Sequence, residues 1–269
     1  MYVNTNISST IARNNLTNVS SSLSKSMERL SSGLRINSAS DDAAGLSIST
    51  RMQAQVTGMD QAYRNAQDGV SLIQTAEGAM GTISDVLQRA RELAVQADNG
   101  TNSSTDLTSI QGEIDQLVKE IDHISQTSTF NGISLLDGSK TEVKLHISDK
   151  ATDTISVSLT KVDSASLLGA TLNVSTDAQG AISAIDTALD KLSSARGDLG
   201  ATQNRLGFIS DNLTSAKTNT EASKSRIADT DMSAEMSELT KNQVLQQATI
   251  SMLAKANQQP QSVLSLLQG

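Results

Sequence analysis

The chain has 269 residues, a formal net charge of −8 and an aromatic content of only 1%. Its 21 Lys and Arg residues are scattered and few rings are available to stack on bases, which argues against nucleic-acid binding. No stretch approaches the roughly 18 apolar residues of a membrane-spanning helix, so we expect no membrane insertion.

Apolar residues near the start recur at spacings of three and four, which is typical of a helix with one narrow apolar stripe. The first such stripe runs from Leu16 to Leu34 and predicts a helix there. Further stripes predict a long helix over 46–97, a heptad helix over 107–124 and a fourth over 182–213. We expect the last three helices, which come from distant parts of the sequence, to bury these stripes against each other.

Between the third and fourth helices the apolar period changes to two. Val143, Leu145 and Ile147 alternate with polar residues, and the same pattern returns over 155–159. This predicts a β-hairpin with one buried face, which we expect to pack on the helix ends. Residues 139–180 leave room for this hairpin and little else.

The last segment, 232–267, again has a helical pattern, and Pro260 predicts a break before a short apolar end. The apolar stripes of the first and last helices have no counterpart in the central helices. We therefore expect both ends to be largely disordered in the isolated chain.

Catalytic chemistry has little support in this sequence. His123 and His146 stand alone, and no zinc, nucleotide or nucleophile motif is present. The pairs Asp41-Asp42 and Asp229/Asp231 are interpreted as helix caps. The sequence therefore predicts a protein that is not an enzyme and that has no cofactor and no metal.

Five separated blocks of the chain carry a resemblance to a known family. The outer two are LSSGLRINSASDDAAGLSIS at Leu30–Ser49 and AKANQQPQSVLSLL at Ala254–Leu267. The inner three are NAQDGVSLIQTAE at 65–77, LQRARELAVQ at 87–96 and TFNGISLL at 129–136. In this order they resemble the two ends of bacterial flagellin, the subunit of the flagellar filament.

The resemblance implies a mainly α fold: an elongated helical bundle or coiled coil with a small β-hairpin region, in a short form without large outer domains. Residues 1–44 and 224–269 would form an inner domain whose terminal helices make a coiled coil. Residues 45–175 and 176–223 would form a middle domain. The predicted filament-core interface consists of Leu16, Leu23, Leu30, Met236, Leu239 and Leu253.

The resemblance also implies that the block at 87–96 contacts neighbouring subunits and is recognised by the flagellin-sensing Toll-like receptor of animals. Carried over position by position, the contact residues are Arg89, Glu92, Leu93, Gln96 and Glu113. We expect Leu93 to be exposed beside Arg89, and Ala90 to point toward the apolar stripe.

The partners that the resemblance implies are further copies of the chain, an export chaperone on the last helix, a filament cap and hook–filament junction proteins. The first residues lack the basic start and apolar run of a Sec signal peptide, so we expect type III export to an extracellular filament. The absence of cysteine suits such export. Two alternatives stay open: a hook–filament junction protein, or a soluble coiled-coil adhesin or effector with ordered ends.

Overall fold

The computed structural model describes residues 5–150, 152–169 and 172–267, with side chains as far as residue 259. It is mainly helical, with two small antiparallel hairpins between the third and fourth helices, as the sequence predicts for the fold class. The elements in chain order are α1 (Ile7–Ser32), α2 (Ala43–Ala97), α3 (Ser104–Thr127), β1 (Thr129–Phe130), β2 (Ile133–Ser134), β3 (Glu142–His146), β4 (Thr154–Ser158), α4 (Ser164–Leu168), α5 (Ala178–Ala228) and α6 (Met232–Leu267).

The chain divides into two compact units. The terminal unit contains the described residues of 1–54 and 219–269, and the central unit contains those of 55–218. Helices α2 and α5 each contribute residues to both units. All members of the main hydrophobic core fall between residues 66 and 206, within the central unit.

Local capping sets where the helices begin and end. The Asn6 side chain accepts a hydrogen bond from the Ser9 amide at 3.0 Å and so caps the start of α1. Gly33 ends α1 with φ of 72°, a left-handed conformation that glycine adopts without steric cost. At α3, Ser103 and Asp106 form a reciprocal capping box.

The core of the central unit confirms that the three central apolar stripes bury one another. Helices α2, α3 and α5 each contribute side chains with almost no exposed surface. Leu, Ile, Met and Ala fill this core, as the near absence of aromatic residues requires. The largest of these helical side chains are Ile73, Met80, Ile83, Leu87, Ile114, Ile121, Ile185, Leu192 and Leu206.

The predicted hairpin is present as β3 and β4. Val143 pairs with Val157 and Leu145 with Ile155, so the apolar side chains share one face. A second, shorter hairpin joins β1 to β2 through Asn131 and Gly132, both of which have positive φ values. The Asn-Gly pair is a typical sequence signal for such a turn, whereas nothing in the sequence indicates the two-residue strands beside it.

The expectation that the hairpin packs on helix ends is wrong. The Asn65 side-chain amide of α2 donates to the His146 carbonyl at 2.8 Å, far from either end of α2. A Cβ atom on Gly69 would lie 2.2 Å from Leu145 Cδ1 and 3.2 Å from Leu206 Cδ1. The missing side chain at Gly69 therefore lets the hairpin approach the middle of the helix.

We expect Gly69→Val to lower the free energy of unfolding by about 1–3 kcal/mol, because the added methyl groups overfill this contact. The measurement is urea unfolding followed by far-UV circular dichroism. Gly78→Val is the matched control, since no atom lies within 4 Å of its added Cβ. Equal effects of the two substitutions would contradict the close approach at Gly69.

Residues 139–180 hold more than the hairpin, which corrects the sequence prediction. The short helix α4 begins after Asp163, whose carboxylate accepts from the Ser166 amide at 2.9 Å. Leu167 and Leu168 of α4 and Leu172, which follows it in the chain, are buried in the central core. The segment is too short and too polar at its start for a helical period to be visible in the sequence.

The predicted break at Pro260 is also wrong, because the backbone of α6 stays helical from Met232 to Leu267. Proline removes one N–H donor from the hydrogen-bond ladder. The helical residues on both sides keep their own donors, so one lost hydrogen bond does not end the helix.

Candidate interaction surfaces

Helices α1 and α6 pair with each other in antiparallel fashion in the terminal unit. The Asn6 side-chain amide donates to the Ala256 carbonyl at 2.7 Å, and Ser9 Oγ donates to Asn257 Oδ1 at 2.7 Å. Toward the other end of α1, Arg29 Nη1 lies 3.7 Å from Glu235 Oε2. Early residues of α1 therefore face late residues of α6, over most of the length of α1.

The leucines predicted for the filament core lie along this helix pair. Leu16, Leu23 and Leu30 recur every seven residues on α1 and are half-buried. On α6, Leu239 and Leu253 are half-buried, whereas Met236 is 51% exposed. One partner helix thus covers these side chains only in part.

The terminal unit exposes an unusual amount of apolar surface. Of the thirteen large apolar side chains exposed among the described residues, ten lie in this unit. Its buried apolar residues in the same described range are Ala12, Ile36 and Ala228. The exposed set is Ile7, Ile11, Met27, Ile48, Met232, Met236, Val244, Leu245, Ile250 and Met252.

The exposed apolar residues of α6 lie on both sides of its α1-facing stripe. Positions 239, 242, 246, 249 and 253 are buried or half-buried and define that stripe. At 3.6 residues per turn, Leu245 and Met252 flank one side, and Met236 and Ile250 flank the other. A helix that is apolar around most of its circumference is typical of an element buried within a larger assembly.

A shallow groove of about 580 Å³ runs between α1 and α6 near the start of α1. Ile11 and Met252 line it with more than half of their surface exposed, and Ala12 and Ala248 line it as well. The groove is thus an open apolar feature of the free surface.

The turn between α1 and α2 is organised by the side chains that the sequence interprets as caps. Asp41 accepts hydrogen bonds from the amide and hydroxyl of Ser38 at 3.2 and 3.0 Å. Lys25 Nζ lies 3.0 Å from the other carboxylate oxygen of Asp41. The Asp42 carboxylate accepts from the Gly45 amide at 2.9 Å and caps α2. Asp42 thus caps the helix, and Asp41 stabilises the turn before it.

The hydrogen bond from Lys25, together with those from Ser38, lowers the pKa of Asp41 from 3.8 to about 2. A lowered folded-state pKa stabilises the turn above the unfolded value and loses this contribution as pH falls. We expect amide protection at Asp41 to decline as pH falls from 3.8 to about 2, measured by native-state hydrogen exchange. Asp41→Asn should lower protection near neutral pH and remove this step; a step that persists in the variant would assign it to another group.

Four of the five predicted receptor-contact residues share an exposed face of the central unit. Arg89 Nη2 lies 3.0 Å from Glu113 Oε1 on α3, and Arg89 Nη1 lies 3.1 Å from Glu92 Oε2. The Glu113 and Glu92 hydrogen bonds raise the pKa of Arg89, in that order of effect. Gln96 is exposed two turns further along α2. This cluster links the outer faces of α2 and α3.

The expectation of an exposed Leu93 is wrong, because its side chain is only 2% exposed and belongs to the central core. Leu93 lies three residues after Ala90, which is buried as predicted, and beside buried Ala94. Leu93 therefore lies on the buried side of α2 together with these two alanines. The exposed apolar residue of this region is Val95, which lines a groove of about 420 Å³ with Gln88, Arg91 and Glu92.

Two further features of the central unit's surface were missed from the sequence. Arg91 Nε lies 2.7 Å from Asp186 Oδ1 on α5, an ion pair between residues far apart in the chain. Phe208, on the outer face of α5, is 76% exposed. The sequence signal for this exposure is that Phe208 lies just outside the apolar stripe of α5.

His123 and His146 are both exposed. Within residues 5–150, 152–169 and 172–267, no three His, Asp or Glu side chains come together as metal ligands would. In the same ranges, none of the helices combines the length and apolar character needed to cross a membrane.

Sequence comparison decides the family. Residues 3–141 match the model of the bacterial flagellin N-terminal helical region, and residues 182–267 match that of the C-terminal helical region. The chain belongs to the bacterial flagellin family.

Similar flagellins span the whole chain. It is 48% identical to a flagellin of Halalkalibacterium halodurans and 43% identical to one of Bacillus subtilis, covering 99% of this chain and 100% of each relative. It is 42% identical to the flagellar filament 33 kDa core protein of Treponema phagedenis, with 99% and 100% coverage. The family is structural, so the prediction that the chain is not an enzyme is confirmed.

Solved structures agree with this assignment. Bacillus cereus flagellin is 40% identical, with a TM-score of 0.51, over 60% of this chain and 94% of that one. A putative flagellar hook-associated protein of Vibrio parahaemolyticus has a TM-score of 0.61 at 14% identity, over 70% of this chain and all of that one, which shows the fold alone. The chain is a structural subunit that polymerises into the extracellular flagellar filament.

Proposed function

We propose that the terminal unit forms the inner layer of the filament and completes its folding only when neighbouring copies cover it. The observation that carries this proposal is the contrast between the two units. Among the described residues, the central unit encloses most of its large apolar side chains and leaves three exposed, whereas the smaller terminal unit leaves ten exposed. Monomeric proteins rarely expose a large contiguous apolar surface without a partner.

Burial of apolar side chains in the polymer provides the free energy for this coupled folding. Full burial of one Leu, Ile or Met side chain contributes about 1.5–3 kcal/mol before the entropy of ordering is subtracted. In the terminal unit, Leu16, Leu23, Leu30, Leu239 and Leu253 are half-buried and Met236 is exposed, so much of this contribution is still to be gained. We therefore assign these six residues to the filament-core interface.

The sequence boundaries of the inner and middle domains are part of the same proposal. Residues 1–44 and 224–269 form the inner domain, and residues 45–175 and 176–223 form the middle domain. The compact units divide instead at residues 54 and 219, ten residues later and five residues earlier than these boundaries. The proposed inner domain thus lies within the terminal unit.

Limited proteolysis tests the coupling of folding to assembly. The full chain is digested first as a monomer and then after seeding with filament fragments. We expect trimming at both ends in the monomer and protection of both ends in long polymers. Ends that resist protease in a monomer that never polymerises would overturn the proposal and favour the adhesin or effector alternative.

We also propose the partners that assembly requires. An export chaperone covers the last helix before secretion, which suits the exposed Val244, Leu245 and Ile250 of α6. Export follows the flagellar type III route without a Sec signal peptide. A cap protein inserts subunits at the tip, and hook–filament junction proteins provide the first copies with a matching surface.

The exposed cluster of Arg89, Glu92, Gln96 and Glu113 is proposed as a contact for neighbouring subunits and for the animal Toll-like receptor. Its support is the shared outer face of α2 and α3 and the ion pairs that hold Arg89 there. Leu93 contributes by packing behind this face rather than by touching a partner.

We expect Arg89→Ala to raise the concentration needed for receptor activation about tenfold, because arginine is enriched among the few residues that dominate binding at interfaces. The assay is a reporter cell line that expresses the receptor. Lys144→Ala, on the exposed side of β3, is the control and should have no effect. Equal activity of the Arg89 variant and the wild type would mean that Arg89 is not part of the receptor contact.

A further inference from the structure

The methionines of this chain are distributed unevenly between its two units. The chain has eight methionines and no cysteine, so thioethers are its only oxidisable sulfur groups. Of the seven that lie among the described residues, four are exposed, and all four belong to the terminal unit. These exposed thioethers are Met27, Met232, Met236 and Met252. Met80 in the central core is 1% exposed, and Met52 and Met59 are half-buried.

The exposed thioethers lie beside the features that define the terminal unit's apolar surface. Met252 is 65% exposed and faces Ile11 across the groove between α1 and α6. Met236 follows Glu235, which pairs with Arg29 of α1, and Met232 lies one helical turn earlier. Met27 lies two residues before Arg29. Thioethers therefore occur at both ends of the helix pair.

We propose that Met27, Met232, Met236 and Met252 are a modification site at which oxidation of the free subunit blocks its addition to the filament. The reagent class is a peroxide or hypochlorous acid. This inference rests on the proposed function, because it requires the exposed faces of α1 and α6 to be covered by neighbouring copies.

The reaction of a methionine thioether with hydrogen peroxide needs no further reactant. The thioether sulfur attacks one peroxide oxygen, the O–O bond breaks, and a sulfur–oxygen bond forms. The proton of the transferred oxygen passes to the departing hydroxide, so the products are one sulfoxide and one water. The sulfur loses two electrons and the peroxide gains them. Methionine sulfoxide reductases reverse the change.

The effect on assembly follows from polarity. Thioethers are apolar and adapt to irregular contacts, whereas a sulfoxide carries a strongly polar oxygen. Burying that oxygen without a hydrogen-bond donor is unfavourable. The same burial shields the thioethers in a finished filament, so oxidation acts on subunits and not on existing polymer.

The test compares seeded polymerisation, followed by light scattering, before and after peroxide treatment of the full-length monomer. Peptide mass spectrometry maps the sulfoxides. The test variant replaces all four exposed methionines with leucine, a change that nearly conserves side-chain volume. The matched control is Met52→Leu/Met59→Leu, which keeps the four exposed thioethers.

We expect peroxide-treated wild type and treated control to elongate at least about tenfold more slowly than the untreated form of the same protein. The treated four-leucine variant should elongate at the rate of its own untreated form. Treatment of oxidised wild type with both reductases should restore elongation. Normal elongation of wild type with all four sulfoxides mapped, loss of elongation in the treated four-leucine variant, or no recovery after reduction would each overturn the proposal.

The Leu23→Asp variant separates this inference from the proposed function. If that variant fails to polymerise while fully oxidised wild type elongates normally, only the oxidation proposal fails. If Leu23→Asp itself polymerises normally, the proposed role of the terminal unit fails with it.

Discussion

Leu23→Asp is expected to abolish polymerisation while the central unit remains folded. Leu23 is half-buried on the α6-facing stripe of α1, and a carboxylate at that position is costly to bury without a cationic partner. Among the residues whose side chains the structure describes, the main core of the central unit contains none from α1 or α6, so its packing does not depend on Leu23. The measurements are seeded light scattering for the polymer and far-UV circular dichroism for the fold.

Leu23→Met is the control for this prediction, because it conserves volume and apolar character at the same position. It should polymerise at a rate close to that of the wild type. Normal filaments from Leu23→Asp would mean that the α1–α6 pair is not part of the assembly contact.

Leu93→Ala is expected to lower the free energy of unfolding by about 2–5 kcal/mol, the usual cost of removing a buried leucine. The side chain is enclosed by the central core, so its removal leaves a cavity instead of a smaller exposed surface. Urea unfolding of the full chain, followed by circular dichroism, measures the change.

Val95→Ala serves as the comparison, since Val95 lies on the same helix with 49% of its surface exposed. Its effect on stability should be within about 0.5 kcal/mol. An unchanged free energy of unfolding in Leu93→Ala, together with weaker receptor activation, would contradict the burial of Leu93. It would mean that Leu93 is an exposed residue that contacts the receptor.

The elements were predictable because their signals are local. Apolar spacing of three and four placed α2 and α6 within three residues of their observed starts and marked α1 from Leu16 onward, nine residues after its observed start. Alternation at Val143 and Leu145 placed the β3–β4 hairpin one residue from its observed position. Each of these patterns reflects the geometry of a single helix or strand, which a sequence records directly.

The contacts of those elements were less predictable because they depend on distant residues. Leu93 looked exposed because Arg89 and Glu92 beside it are, but the narrow packing around Ala90 and Ala94 encloses it. The hairpin's position was set by Gly69, where a missing side chain admits Leu145. Leu93 does lie three residues after Ala90 on the apolar period of α2, so a local signal for its burial exists, whereas the contact at Gly69 depends on residues far away in the chain.

The sequence by itself determined that this chain is a helical filament subunit, since blocks spread from residue 30 to residue 267 carry the family's pattern. It also determined which helices carry apolar stripes, because periodicity is written in residue order. Only the tertiary structure decided how completely the stripes of α1 and α6 cover each other within one chain. The central stripes close on each other, and the stripes of α1 and α6 cover each other only in part. The physical reason is that burial depends on how many neighbours surround a helix, and two helices cannot enclose each other.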